Sequence, residues 1–231
     1  MIKAVQPKRA DGVLATLVGV VVMASAACGR SAMMDLPLWR VELDAAGREF
    51  RVVQLPFEQA SYDMRTNALV RDVQDRNQDG VADRIITYEG RGGARLEESD
   101  TDFDGNIDLW ETFAADGRRL RSASARFGNR PDRIATYDAA GLLARVEVDS
   151  NLDGRPELIQ IFEGGRLAEN QVDSDGNGLI DRRQDFRKGY LSVEEFDTDE
   201  DGTPDLRMTY AKDGSLLKAV VLNPNGRAPR K

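Results

Sequence analysis

The sequence predicts an all-β chain of antiparallel hairpins stacked in a repeat of 24–25 residues. Three periodic features predict it. A nine-residue pattern, Asp-x-(Asp/Asn)-x-(Asp/Asn)-Gly-x-x-(Asp/Glu), occurs five times. An aromatic residue stands five positions beyond each copy. A glycine and then a leucine follow each aromatic, so the unit reads loop, short strand, turn, short strand, loop.

The first segment, 1–27, lies outside this pattern. Lys3, Lys8 and Arg9 precede an apolar run of 15 residues, Val13 to Ala27, that ends in small side chains. Such a run is too short to cross ~30 Å of hydrocarbon comfortably and reads as a secretory signal. It closes as Ser25-Ala26-Ala27-Cys28, and Cys28 is the only cysteine. Here the chain resembles bacterial lipoproteins, although Ser25 stands where a leucine is usual. The resemblance implies cleavage before Cys28, acylation of Cys28 with palmitate-type chains, and residues 28–38 as a tether. Gly29 in place of a retention aspartate then implies the outer membrane. The alternative is a plain secreted protein with an incidental cysteine. With one cysteine, disulfides cannot hold the exported chain together.

Residues 39–74 read as an N-terminal cap. Trp39–Leu43, the turn Asp44–Gly47 and Phe50–Val53 form a hairpin like the later ones but without an acidic loop before it. A poorer echo runs from Tyr62 to Leu69. Atypical end units are expected in a stacked array.

The array spans 75–222. Its five intact loops are Asp75, Asn77, Asp79, Gly80, Asp83; Asp100, Asp102, Asp104, Gly105, Asp108; Asp149, Asn151, Asp153, Gly154, Glu157; Asp173, Asp175, Asn177, Gly178, Asp181; and Asp197, Asp199, Asp201, Gly202, Asp205. A sixth copy, Ser124 to Asp132, is damaged and keeps only its last acid. The aromatics are Tyr88, Phe113, Tyr137, Phe162, Phe186 and Tyr210, and the turn glycines are Gly93, Gly117, Gly141, Gly165, Gly189 and Gly214. Stretches such as Arg84–Tyr88 and Leu158–Phe162 are rich in β-branched and aromatic residues, as strands require. Six residues between turn signals is too short for a useful helix. A single hairpin cannot bury its apolar face, so neighbours must associate, with the aromatic and leucine columns expected to form a thin core. Residues 223–231 read as a flexible tail.

Alternating oxygen side chains at positions one, three and five, with glycine at six and a backbone carbonyl at seven, suit a hard cation, and calcium above all. The loops resemble the FG-GAP loops of integrin-type propellers, bacterial VCBS repeats and thrombospondin type 3 repeats. Dockerins and EF-hands place the final acid at twelve and use helices, and neither feature is evident here. The hairpins between loops are similar to YD and MORN-like repeats. These resemblances imply ligands from positions one, three, five and nine of each loop. They further imply backbone carbonyls from Val81, Asn106, Arg155, Leu179 and Thr203, for about five calcium ions in all. They also keep open a β-propeller as the alternative to an elongated meander or solenoid.

Charge and composition narrow the function. Removing residues 1–27 takes the formal charge from −8 to −10. Seventeen of the 40 acids occupy the loop positions, more than the net charge of −10, so the excess of negative charge is accounted for by ligands and argues against nucleic acid. The chain has no histidine, which removes Ser-His-Asp triads and His-ligated zinc. The resulting expectation is a non-enzymatic, calcium-rigidified envelope lipoprotein, anchored through Cys28 and contacting an envelope protein or polysaccharide. The alternatives are a carbohydrate-active hydrolase working through paired carboxylates, and a calcium store or sensor. The two loops with four carboxylates, at Asp100 and Asp197, are expected to bind most tightly.

Overall fold

The computed structural model describes residues 38–90 and 93–222. The signal segment, Cys28, most of the tether and the 223–231 tail lie outside the described residues. The chain divides between Arg118 and Arg119 into two compact units. In the first, β1 (Leu38–Leu43), β2 (Glu49–Gln54), β3 (Glu58–Asp63), β4 (Leu69–Gln74), β5 (Arg84–Glu89), β6 (Ala94–Ser99) and β7 (Leu109–Phe113) pair antiparallel in sequence order. The second begins with β8 (Arg119–Ser124), β9 (Arg133–Tyr137), β10 (Leu143–Val148), β11 (Leu158–Glu163) and β12 (Arg166–Val172). It continues through β13 (Arg182–Arg187), β14 (Tyr190–Phe196), β15 (Leu206–Tyr210) and β16 (Leu216–Val221), again in sequence order. The described residues contain no helix. Each unit is therefore an open meander of hairpins, not a set of separate propeller blades.

Local chemistry explains the hairpins. In the β9–β10 turn the Asp138 carboxylate accepts the Ala140 and Leu142 N–H groups, at 2.8 and 2.9 Å. Gly141 beside it takes φ 79°, a conformation that side chains resist. The register then shifts between Leu143 and Arg145, a bulge repeated in the β11–β12, β13–β14 and β15–β16 hairpins. Because each unit is a meander, all of its acidic loops fall at one end of the strands and all of its hairpin turns at the other.

Among the described residues of each unit, every strand packs chiefly against its predecessor and its successor, and no second layer of strands or helices covers either face. The core is correspondingly thin, and it differs from the expected one. Among the described residues, the fully buried apolar side chains lie within strands: Val52, Ala123, Ala135 and Val146, each at 2% exposure or less. The expected columns do worse, with the aromatics half-buried and Leu216 54% exposed. Those leucines stand next to the hairpin turns, where a single layer offers neighbours on one side only.

Polar side chains fill much of what aliphatic packing leaves. Four directly opposed residues on successive strands form a ladder. Gln160 donates to Asn170 (3.2 Å), Asn170 to Gln184 (3.2 Å), and Gln184 to Glu194 (2.9 Å). The Tyr210 hydroxyl closes the row by donating to Glu194 at 2.8 Å. In the first unit Glu97 is buried between Arg84 and Arg95, each 2.6 Å away. Burial alone would push the Glu97 carboxyl up, but the hydrogen bonds from the two arginines outweigh it and hold it below the usual 4.5. A value depressed by folding stabilises the fold above 4.5, and that gain disappears as pH falls through the lowered value. Glu97→Gln should therefore cost about 1–2 kcal/mol at neutral pH. Urea titrations of both proteins should show this gap close in acid, where the wild-type carboxyl is itself neutral.

Candidate metal centre

Each acidic loop joins an even-numbered strand to the next, and its frame is set before any ion is considered. In four of the five intact loops the residue at position nine donates its N–H to the carbonyl that ends the preceding strand. These bonds are Asp83 to Gln74 (2.8 Å), Asp108 to Ser99 (2.9 Å), Asp181 to Val172 (2.9 Å) and Asp205 to Phe196 (2.7 Å). Inside this closure the position-one carboxylate gathers N–H groups. One oxygen accepts from position four or five and the other from the glycine at six. Asp100 takes Phe103 and Gly105, both at 2.7 Å, and Asp173 takes Gly176 at 2.8 Å and Gly178 at 2.7 Å. Asp75, Asp149 and Asp197 do the same. Asp75, Asp100, Asp173 and Asp197 are all buried. At position six φ lies between 86° and 95°, and an added β-carbon at Gly105 would meet nothing within 4 Å. Backbone strain alone therefore requires glycine at Gly105, whereas at Gly178 the Arg155 guanidinium would also stand 2.7 Å from an added β-carbon.

Position five fixes position seven. Its side-chain oxygen accepts the N–H of Val81, Asn106, Arg155, Leu179 or Thr203 at 2.7–2.8 Å. The residues whose carbonyls were expected as ligands are thus held in the same way in all five loops. Position nine folds back over position two, as when Asp205 accepts both the N–H (2.8 Å) and the hydroxyl (2.7 Å) of Thr198.

The outcome is convergence of like charges. Four groups bring one oxygen from each member within 4.8 Å of the others: Asp100, Asp102, Asp108; Asp149, Asp153, Glu157; Asp173, Asp175, Asp181; and Asp197, Asp199, Asp205. Burial, then the charges of Asp104, Asp108 and Asp100, push the Asp102 carboxyl up; burial and Asp201, Asp205 and Asp197 do the same at Asp199. Both oxygens of Asp199, and one oxygen of Glu157, are buried without a hydrogen-bond partner. Such oxygens need a proton or a cation. The donors are all hard oxygens, with no sulfur or imidazole among them, which suits calcium or another hard divalent ion.

The remaining expected ligands are placed less favourably. Asp75, Asp79 and Asp83 do not form such a group, and Asn77 supplies only a neutral oxygen. Asp83 makes the same clasp as position nine of the other loops, accepting the N–H groups of Arg76 and Asn77 at 2.5 and 3.0 Å. Asp104 and Asp201 stand outside the groups of their loops, while Asp153 stands inside its own. Charge count alone therefore does not rank the sites as expected. In the damaged loop Arg126 occupies position three, with its Nε 3.8 Å from Asp132 Oδ2, so a side-chain cation lies where the motif places a ligand. A closing bond survives there one residue shorter, with Asp132 donating to the Ser124 carbonyl at 3.0 Å, eight positions back where the intact loops reach nine.

Two features escaped the sequence reading. Position four is left-handed in every intact loop, at Gln78, Phe103, Leu152, Gly176 and Glu200. Only Gly176 signals this, because the other four residues carry side chains that disfavour it. The clasp between positions two and nine did leave a signal: Thr101, Ser150, Ser174 and Thr198 put a hydroxyl residue at position two of four loops. No family model matches the chain, and no curated protein is significantly similar to it.

Proposed function

We propose that this protein is a non-enzymatic, calcium-binding lipoprotein of the bacterial envelope, whose hairpin array is made rigid by calcium and presents its surface to an envelope protein or polysaccharide. The observation that carries the calcium reading is the repeated convergence of three carboxylates, two groups of which hold buried oxygens without a partner. The need for rigidity follows from the thin core, since a single-layered sheet has little apolar burial to hold it. Three of the carboxylates outside the loops are engaged, Glu97 by Arg84 and Arg95, Glu194 by Gln184 and Tyr210, and Glu195 by Arg207, while the buried Asp72 keeps one oxygen unpartnered. The anchor rests on the sequence around Cys28. Diacylation there would supply two buried chains, enough for stable attachment at about 0.8 kcal/mol per methylene.

Two measurements test the two halves. An empty loop leaves its carboxylates in unrelieved repulsion, and a site held at about 100 times its Kd adds about 2.7 kcal/mol to folding. Melting in millimolar calcium should therefore come well above melting in excess chelator, and equal midpoints would remove the scaffold role. Separately, Cys28→Ser should abolish lipid labelling and shift the protein out of the membrane fraction. Unchanged membrane association in that variant would make the chain a secreted or partner-tethered protein.

A further inference from the structure

We infer that the three consecutive loops of the second unit, at Asp149, Asp173 and Asp197, load calcium cooperatively through direct bonds between their ligand residues; this rests on the calcium reading above. The residue at position one of each loop donates its N–H to the carbonyl of the residue at position nine of the loop before. Asp173 donates to Glu157 and Asp197 donates to Asp181, both at 2.9 Å. One end of the ligand set of each site is thus one hydrogen bond from the other end of its neighbour's set. An ion that fixes Glu157 positions the Asp173 backbone, and an ion that fixes Asp181 positions Asp197.

Side chains add a second connection along the same edge. Arg155, at position seven of the first of these loops, donates to the Asn177 carbonyl at 3.2 Å and lies against Gly178. A β-carbon added at Gly176 would stand 3.2 Å from the Asn151 amide nitrogen. Asn177, at position five of the middle loop, donates from Nδ2 to Glu200 Oε2 at 3.3 Å, and its Oδ1 takes the Leu179 N–H. Glu200 thereby orients the Asn177 amide, and an aspartate at 177 would face Glu200 as a like charge. The third loop is the one whose Asp199 oxygens are both buried and unpartnered, so it has the most to gain from an ion.

Electrostatics alone works the other way, because a filled neighbour attracts the next ion less than an empty one does. Successive loops are two strands apart, about 10 Å, which is close to one Debye length at moderate salt. Salt weakens that opposition at the exposed members such as Asp175 and less at the buried Asp173 and Asp197, whereas it leaves the backbone bonds unaffected. Ordering one loop lowers the entropy left to lose in the next, which is positive coupling without any change of fold.

The test is a calcium titration of the isotope-labelled full chain at about 0.15 M salt, following the amides of Gly154, Gly178 and Gly202 by NMR. Each of these amides donates to a position-one carboxylate and so reports its own site. In the wild type the three should move together, with a Hill slope above one. Asp175→Asn weakens only the middle site, and should raise the midpoints at Gly154 and Gly202 by about fivefold or more. The amide of Gly189, in a hairpin turn, serves as the control for folding. Asn177→Ala, which removes the contact with Glu200, should raise the Gly202 midpoint and keeps the test available if Asp175→Asn misfolds. Midpoints at Gly154 and Gly202 that stay in place in both variants overturn the coupling and leave the calcium reading standing. No response at any of the three glycines in the wild type overturns the calcium reading and the coupling with it.

Discussion

A buried aspartate that accepts backbone N–H groups is the interaction on which the acidic loops depend. Position one must be a short acid, because it reaches back to position four or five and to position six from within its own turn. That demand forces the left-handed glycine at six and the left-handed residue at four, and so draws the side chains of positions three and nine toward the same point. The position-one carboxylate is held by the loop's own N–H groups, whereas those at three and nine add to a shared concentration of negative charge, and Asp199 has no hydrogen-bond partner for either oxygen. The charge is the cost of the geometry, and a hard divalent ion is the simplest partner that offsets it.

The sheet gives this arrangement its consequence. Hairpins added edge to edge satisfy the backbone efficiently but leave both faces of each unit without a covering layer among the described residues. Fully buried aliphatic positions are then few, and polar ladders such as Gln160 to Glu194 occupy places that an enclosed core would give to leucine or valine. Order at the loop end therefore matters more than it would in a two-layered protein. The bond from position one to the preceding position nine makes the loops a continuation of the strand ladder, so the damaged loop can lose its ligands and keep its place. Arg126 beside Asp132 shows how little is needed there once the backbone frame is present.

Hairpins, turns and loops were legible in the sequence because each rests on local chemistry. Gly141 and Asp138 specify a turn, β-branched runs specify strands, and alternating acids specify a loop. What was not legible depends on neighbours distant in sequence. The aromatic and leucine columns read as a core, yet whether a column is buried depends on the presence of a second layer, which periodicity does not reveal. The left-handed residues Gln78, Phe103, Leu152 and Glu200 carry no mark in sequence, because the position-one carboxylate imposes their conformation. Asp104 and Asp201 counted as ligands by spacing, but convergence favours positions three and nine in those loops and position five only where Asn151 leaves position three neutral.

The central claim is that the converged carboxylates are cation sites. The most direct measurement is anomalous diffraction from crystals of the chain grown with a lanthanide in place of calcium. The account predicts a peak at each of the four groups, within about 2.3–2.6 Å of oxygens from each contributing carboxylate, and none in the Ser124 to Asp132 loop. Crystals that show those groups without a peak, with the Asp199 oxygens bonded to water or protonated, would contradict it.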